Sequence, residues 1–384
     1  MRGGGKCTIM TVLCTDINIT EIPTLMTYCF LPYQGVTWLC QVIDSQVHPL
    51  TQAPGDANAR WRLSESGKEF GNIDQAGKRI GHYRILDEAP WIEAIVPPLA
   101  LPRTAIANDL VIYQGFMVVA GHARSGEALW TRSIDNDRKW NAIPLPNGLA
   151  KRGKSIDALF VREGKLVAID NIVIPKWILV YDLNRELNAT DVEVVPLKTH
   201  TTYESVRSVA EGDDFYALQS TGINHGNVSS YISLLDKYSL KEKANWVFPG
   251  KRNNPFDFFD PLFDDREHDE TPKSGDENMP RHEEVELPCS SVSDMKFCKE
   301  FLLACAYEHG AFVSKIPEKG KIKRGNTLPK FKKFPLKKLT QVDRFEMTPG
   351  NSSGLFAVGE FSNGVPDYEW IGYSDLVDFM LLDR

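Results

Sequence analysis

The sequence predicts an all-β fold of six repeated four-stranded sheets closed into a ring. Three observations carry that expectation. An apolar-proline step recurs along the chain, strand-like segments precede it in a fixed order, and the repeats are spaced by about 50 residues. The 384 residues are read as a single domain, 1–384, because all-β rings use such a length as one unit.

The recurring step appears as Glu21-Ile22-Pro23, Ile95-Val96-Pro97, Ala142-Ile143-Pro144, Val194-Val195-Pro196, Val247-Phe248-Pro249 and Lys333-Phe334-Pro335. Proline donates no N–H, so it suits the outermost, unpaired edge of a sheet. Upstream of most of these steps lies an alternating strand, such as Trp177 to Tyr181 or Tyr231 to Leu235, read as the third of each sheet. Ahead of those come paired inner strands: Asp109 to Tyr113 with Phe116 to Ala120, Asp157 to Val161 with Leu166 to Ile169, and Asp294 to Phe297 with Phe301 to Ala304. Gly115 and Gly164 mark tight hairpins in two of these pairs. The last repeat, Asp343 to Tyr373, lacks a proline-ended strand, and the segment Thr8 to Pro23 has no sheet of its own. The N-terminal segment is therefore expected to supply the fourth strand of the final sheet and close the ring without leaving open edges.

This pattern resembles the β-propeller superfamily, over nearly the whole chain and at the level of strand spacing. The resemblance implies a six-bladed propeller of four-stranded blades. The WD dipeptide, the paired kelch glycines and the sialidase Asp-box are missing, so no family's functional residues carry over.

In a propeller, loops from fourth to first strands and from second to third strands share one face. Two segments break the period: 48–77, read as an insertion in the first blade, and 250–288, read as an acidic, flexible insertion between the fourth and fifth. Both are expected on the same face, which makes that face the working side. The second contains twelve acidic residues between Asp257 and Glu286 against Arg266, Lys273 and Arg281. Its first part interleaves aromatic and carboxylate side chains: Phe256, Asp257, Phe258, Phe259, Asp260, Leu262, Phe263, Asp264 and Asp265. Such a segment cannot bury its own apolar groups; it is read either as a solvated loop whose Phe side chains tuck onto the ring or as a docking segment for a protein with a basic or grooved surface. A basic run of ten Lys or Arg between Lys315 and Lys338, against Glu318 alone, falls on the opposite face. It is read as a charged edge that resists sheet-to-sheet association, with nucleic acid or an acidic partner as the alternative.

Composition narrows the function. Net charge of -7 argues against general nucleic-acid affinity outside 315–338. No apolar run approaches the roughly 20 residues that span a bilayer, so no membrane partner is expected. Cys7, Cys14, Cys29, Cys40, Cys289, Cys298 and Cys305 are odd in number and form no CxxC pair, which suggests buried thiols in a reducing, cytoplasmic setting.

Polar residues converge on the expected working face. Asp109, Asp157, Asp294 and Asp343 open innermost strands, and His122, Asp170, Glu308 and Glu360 follow second strands. Repeated aspartates at such positions can accept backbone N–H groups and stitch neighbouring blades. Alternatively, carboxylates and imidazoles could hold a metal, as in propellers that hydrolyse lactones or phosphoesters. No loop supplies two ligands at a metal-site spacing, and no nucleophile elbow or phosphate loop is present. The sequence thus favours a non-enzymatic interaction scaffold or regulatory subunit with no cofactor, and a metal-dependent hydrolase is the alternative.

Overall fold

The computed structural model describes residues 27–249 and 287–381 apart from short stretches, the longest being 134–138, 150–154, 171–176, 323–327 and 348–352. The chain folds into seven antiparallel sheets, each built from consecutive strands. The first holds β1 (Thr27–Tyr33), β2 (Val36–Ile43) and β3 (Gln46–Gln52). The second holds β4 (Arg60–Leu63), β5 (Glu69–Ile73), β6 (Arg79–Ile85) and β7 (Ile92–Ala100). The third is β8 (Ile106–Tyr113), β9 (Phe116–His122), β10 (Leu129–Ser133) and β11 (Asn141–Ala142). The fourth is β12 (Ile156–Arg162), β13 (Lys165–Asp170), β14 (Trp177–Asp182) and β15 (Glu193–Pro196). The fifth is β16 (Tyr203–Glu211), β17 (Phe215–Asn224), β18 (Asn227–Asp236) and β19 (Glu242–Pro249). The sixth is β20 (Asp294–Cys298), β21 (Phe301–Cys305), β22 (Ala311–Lys315) and β23 (Lys332–Phe334). The seventh is β24 (Gln341–Glu346), β25 (Gly354–Glu360) and β26 (Pro366–Gly372), followed by helix α1 (Tyr373–Leu381).

Successive sheets pack face to face, and each of the seven seams has its own apolar cluster. The seam that closes the ring joins Cys29, Leu31, Cys40 and Val42 of the first sheet to Phe356 and Val358 of the seventh. Because a blade is covered on both faces, its middle strands must be apolar at consecutive positions rather than at alternate ones. β21 is buried along its whole length, and so is β25 up to its last residue. Helix α1 covers one end of the seam between the sixth and seventh sheets, with Leu376 fully buried and ring centroids of Phe379 5.2 Å from Phe334 and of Tyr373 5.7 Å from Phe301.

Seven blades correct the expected six. Segment 48–77 is not an insertion: it contains most of β3, all of β4 and β5, and the turns between them. Counting sheets by an apolar-proline step in the outer strand merged the first two, because β3, the outer described strand of the first sheet, carries its proline after His48 (His48-Pro49-Leu50) and escaped the count. The other described steps lie where expected. Pro97, Pro196 and Pro249 fall on β7, β15 and β19, while Pro144 and Pro335 follow β11 and β23 closely. Residues 1–26, including the expected closing strand from Thr8 to Pro23, lie outside the described residues.

Four cysteines, Cys29, Cys40, Cys298 and Cys305, are described, and all are buried free thiols. Burial pushes the Cys40 thiol up to about 12 and Cys298 up to about 11. Among the described residues no helix is long and apolar enough to cross a membrane.

Candidate functional site

The innermost strands contact their neighbours near the axis, β4 with β8, β8 with β12, β16 with β20 and β20 with β24, and their first residues form the rim on the face where fourth strands lead into first strands. Four of them share a local irregularity. An extra residue bulges from β8, β12, β16 and β24 at Asn108, Asp157, Arg207 and Asp343. A bulge leaves one residue unpaired and re-aims its neighbours, a device common beside working sites.

The bulges correct the alignment of the four expected aspartates. Asp157 and Asp343 occupy the bulge, whereas Asp109 comes one residue after it. Asp294 matches Asp109, since it pairs with Cys305 as Asp109 pairs with Ala120. The two matched carboxylates do the same work. Asp109 accepts the N–H of Leu159 at 2.8 Å on the next blade, and Asp294 accepts that of Phe345 at 2.9 Å. Each stitches one blade to its successor through a buried backbone donor.

Arginines complete this rim. Arg60 donates to the carbonyls of Asn108 at 2.6 Å and Ala107 at 2.9 Å. Arg62 reaches both oxygens of Asp109 at 3.1 Å and the Leu159 carbonyl at 2.9 Å, so one guanidinium ties three successive blades. The amide of Asn108 donates to Ser155 at 2.9 Å and to Asp157 at 2.5 Å. Across the ring, Ser293 donates to the Asp343 carbonyl at 2.7 Å, and Gln341 to the Asp343 carboxylate at 3.1 Å. Deeper on β24, Arg344 pairs with Glu346 at 2.9 Å. Burial raises the Glu346 carboxyl against the opposing pull of Arg344; a quarter of its side chain remains open, but protein surrounds it at longer range. The axis is thus lined by paired charges and committed hydrogen bonds.

The remaining expected site residues are spread around the ring. His122 ends β9 and Asp170 ends β13, where Asp170 is 2% exposed and lines a small, mostly apolar cavity with Leu145, Leu149, Ile156, Trp177 and Leu179. Glu308 is exposed and sits 3.8 Å from His309, and Glu360 ends β25. Among the described residues, no three His, Cys, Asp or Glu side chains gather where one metal ion could sit. Phe256, Asp257, Phe258, Phe259, Asp260, Leu262, Phe263, Asp264 and Asp265 lie outside the described residues. The basic run bridges β22 and β23, as expected of a third-to-fourth connection. Its Phe331 and Phe334 are buried, and its Lys319 pairs with Asp236 at 2.7 Å on the fifth blade.

Sequence reasoning singled out Glu308 in the loop from Tyr307 to Gly310 between β21 and β22 but missed Tyr307 itself. Tyr307 takes a left-handed backbone (φ 43°) and is 48% exposed. Its carbonyl accepts the N–H groups of Gly310 at 3.0 Å and Val342 at 3.1 Å, which locks the loop onto the seventh blade. The matching loop of the seventh blade exposes 43% of Val365. The Tyr-Glu-His-Gly run, with its terminal glycine, was the available turn signal.

No protein-family model matches the sequence, and no curated protein matches it. Solved structures do match the fold. A Bacteroides fragilis protein described provisionally as a 6-phosphogluconolactonase aligns with a TM-score of 0.55 at 11% identity, over 93% of this chain and 96% of that one. A Bacteroides uniformis protein described in the same way gives 0.53 at 10% identity, over 91% and 95%. Hydrazine synthase from Kuenenia stuttgartiensis gives 0.51 at 10% identity, over 94% and 99%. At such identities the likeness is one of fold, and together with the closed ring of seven sheets it shows that the chain folds as a β-propeller.

Proposed function

We propose that the protein is a non-enzymatic interaction module that docks a partner protein on the face bearing the loops between second and third strands, beside the point where segment 250–288 leaves the ring. The observation that carries this reading is Tyr307: a large aromatic side chain held outward by a loop hydrogen-bonded to the next blade. A rigid aromatic anchor loses little conformational entropy on binding, which is why such residues dominate interface energetics. Val365 extends apolar surface on the neighbouring blade. The acidic, aromatic run from Phe256 to Asp265 emerges on that face and supplies the charge for a basic or grooved partner, in a cytoplasmic regulatory or scaffolding role.

The test places a photo-crosslinker at position 307 and, as a control, at Tyr238, which is 64% exposed on the opposite face. The partner captured from 307 and not from 238 is then purified. Tyr307→Ala and deletion of 252–286 should each weaken its binding about tenfold or more, as loss of a central anchor does. Unchanged binding in both variants overturns the proposal. Stoichiometric metal in the purified protein, lost on substitution of Asp157 and Asp294, would turn the assignment to the hydrolase. Closure by the N-terminal segment remains part of the proposal: β26 ends its sheet among the described residues, with its outer edge open to a fourth strand. Deleting residues 1–25 should speed amide exchange along β26, and an unchanged rate would remove that strand from the scheme.

A further inference from the structure

The seam between the second and third blades buries a positive charge that no carboxylate among the described residues answers. Arg132 on β10 is 2% exposed, and neither Nη1 nor Nη2 has a hydrogen-bond partner. The indole Nε1 of Trp140, also buried, has none. The two side chains belong together. Thr131 pairs with Asn141, so Arg132 and Trp140 occupy the next cross-strand position, and the guanidinium lies 4.8 Å over the indole ring.

Among its described residues the facing blade offers no carboxylate to this pair. His82 on β6, 1% exposed, lies opposite Gly71, whose missing side chain is replaced by Leu110 and Met117 of the third blade. Glu69 is engaged with His82, Oε2 to Nε2 at 3.1 Å. Burial, together with the charges of Arg132 and Arg84, holds the imidazole below its ordinary range against the pull of Glu69, so His82 adds no second cation. Arg84 pairs with Glu93 at 3.4 Å. Burial lowers Arg132 as well, but a guanidinium does not lose its proton in a protein. A buried, protonated, unpaired guanidinium is costly, and protein interiors answer such a group with an anion.

We infer that Arg132 and Trp140 form a binding site for a small monovalent anion in this seam. The unanswered N–H groups of Arg132 and Trp140 are donors only, which selects an acceptor, and the apolar surroundings of Ile73, Ile80, Leu110 and Met117 favour a weakly hydrated ion over a phosphate. The site is a structural clasp between two blades and is independent of the docking face.

The test uses the full-length protein and chloride or bromide as the probe, at constant ionic strength set with gluconate, a much larger and polyhydroxylated anion. Raising chloride from about 5 to about 200 mM should raise Tm saturably by about 2 °C, with bromide at least as effective. Arg132→Met should abolish the dependence. Trp140→Phe, which keeps the ring, should weaken the apparent affinity several-fold. Two results overturn the inference: a Tm indifferent to the identity of the anion, or the same dependence in both variants. Loss of stability in the double variant Asp135→Asn, Asp137→Asn, with no halide effect in the parent, would assign the acceptor to the chain itself and likewise reject the site.

Discussion

Replacing Asp109 with alanine tests whether the rim carboxylates act as blade stitches. The side chain is 17% exposed and accepts the N–H of Leu159, a fully buried residue, at 2.8 Å. A hydrogen bond to a charged acceptor contributes about 1.5–3 kcal/mol, and here its loss strands a buried donor. The Arg62 contact adds little, because that side chain is 37% exposed and such pairs are worth about 0–1 kcal/mol. Asp109→Ala should therefore cost about 3 kcal/mol, and Asp109→Asn, which keeps an acceptor oxygen for Leu159, about 1 kcal/mol. The assay is urea unfolding followed by tryptophan fluorescence and far-UV dichroism together, since coincident transitions justify a single free energy. Asp294→Ala, which strands the N–H of Phe345 on a distant seam, should cost a similar amount and add to Asp109→Ala within about 0.5 kcal/mol. A cost below about 1 kcal/mol for Asp109→Ala, or equal costs for Ala and Asn, would refute the stitch.

Two further predictions concern other parts of the ring. Burial alone would raise the Glu242 carboxyl, but hydrogen bonds from His200, Lys198 and Asn245 outweigh it and hold the group down to about 2. A depressed carboxyl contributes stability above its unfolded value near 4.5 and loses it as pH falls towards 2, so Glu242→Gln should remove about 3 kcal/mol at pH 6 and flatten the acid limb of unfolding. An acid limb of unchanged slope would contradict this. A Cβ on Gly359 would lie 1.9 Å from the carbonyl oxygen of Gln341, backbone that cannot swing aside. Gly359→Ala should cost about 3 kcal/mol or more in the same unfolding assay. Gly320→Ala, with nothing within 4 Å, should change stability by less than about 0.5 kcal/mol. Equal effects at the two glycines would show that the β24 and β25 backbones can part.

Much of the ring was legible in the chain because its signals are local. The third strands at Trp177 to Tyr181 and Tyr231 to Leu235 fall within β14 and β18, and the paired inner strands fall within β8, β9, β12, β13, β20 and β21. Backbone that must end a sheet can carry proline, so outer strands announce themselves. In the first blade the proline of the outer described strand follows His48 rather than an apolar residue, so it escaped the count and the blade was merged with the second. The alignment of Asp157 with Asp109 failed for a related reason: a bulge shifts register by one residue and leaves the local pattern of residue types intact.

The sequence by itself determined an all-β chain of consecutive antiparallel sheets, the order of strands within most of them, and the place of the basic run between the third and fourth strands of a sheet. These follow from alternation, turn residues and edge prolines, which act over a few residues. Only the tertiary structure decided that seven sheets close the ring, that Asp109 and Asp294 bond to the following blade, that Arg132 is buried with no hydrogen-bond partner for Nη1 or Nη2 and that Tyr307 faces outward. Each of those depends on how one sheet sits against the next, where groups some 50 residues apart meet and their spacing in the chain leaves no local trace.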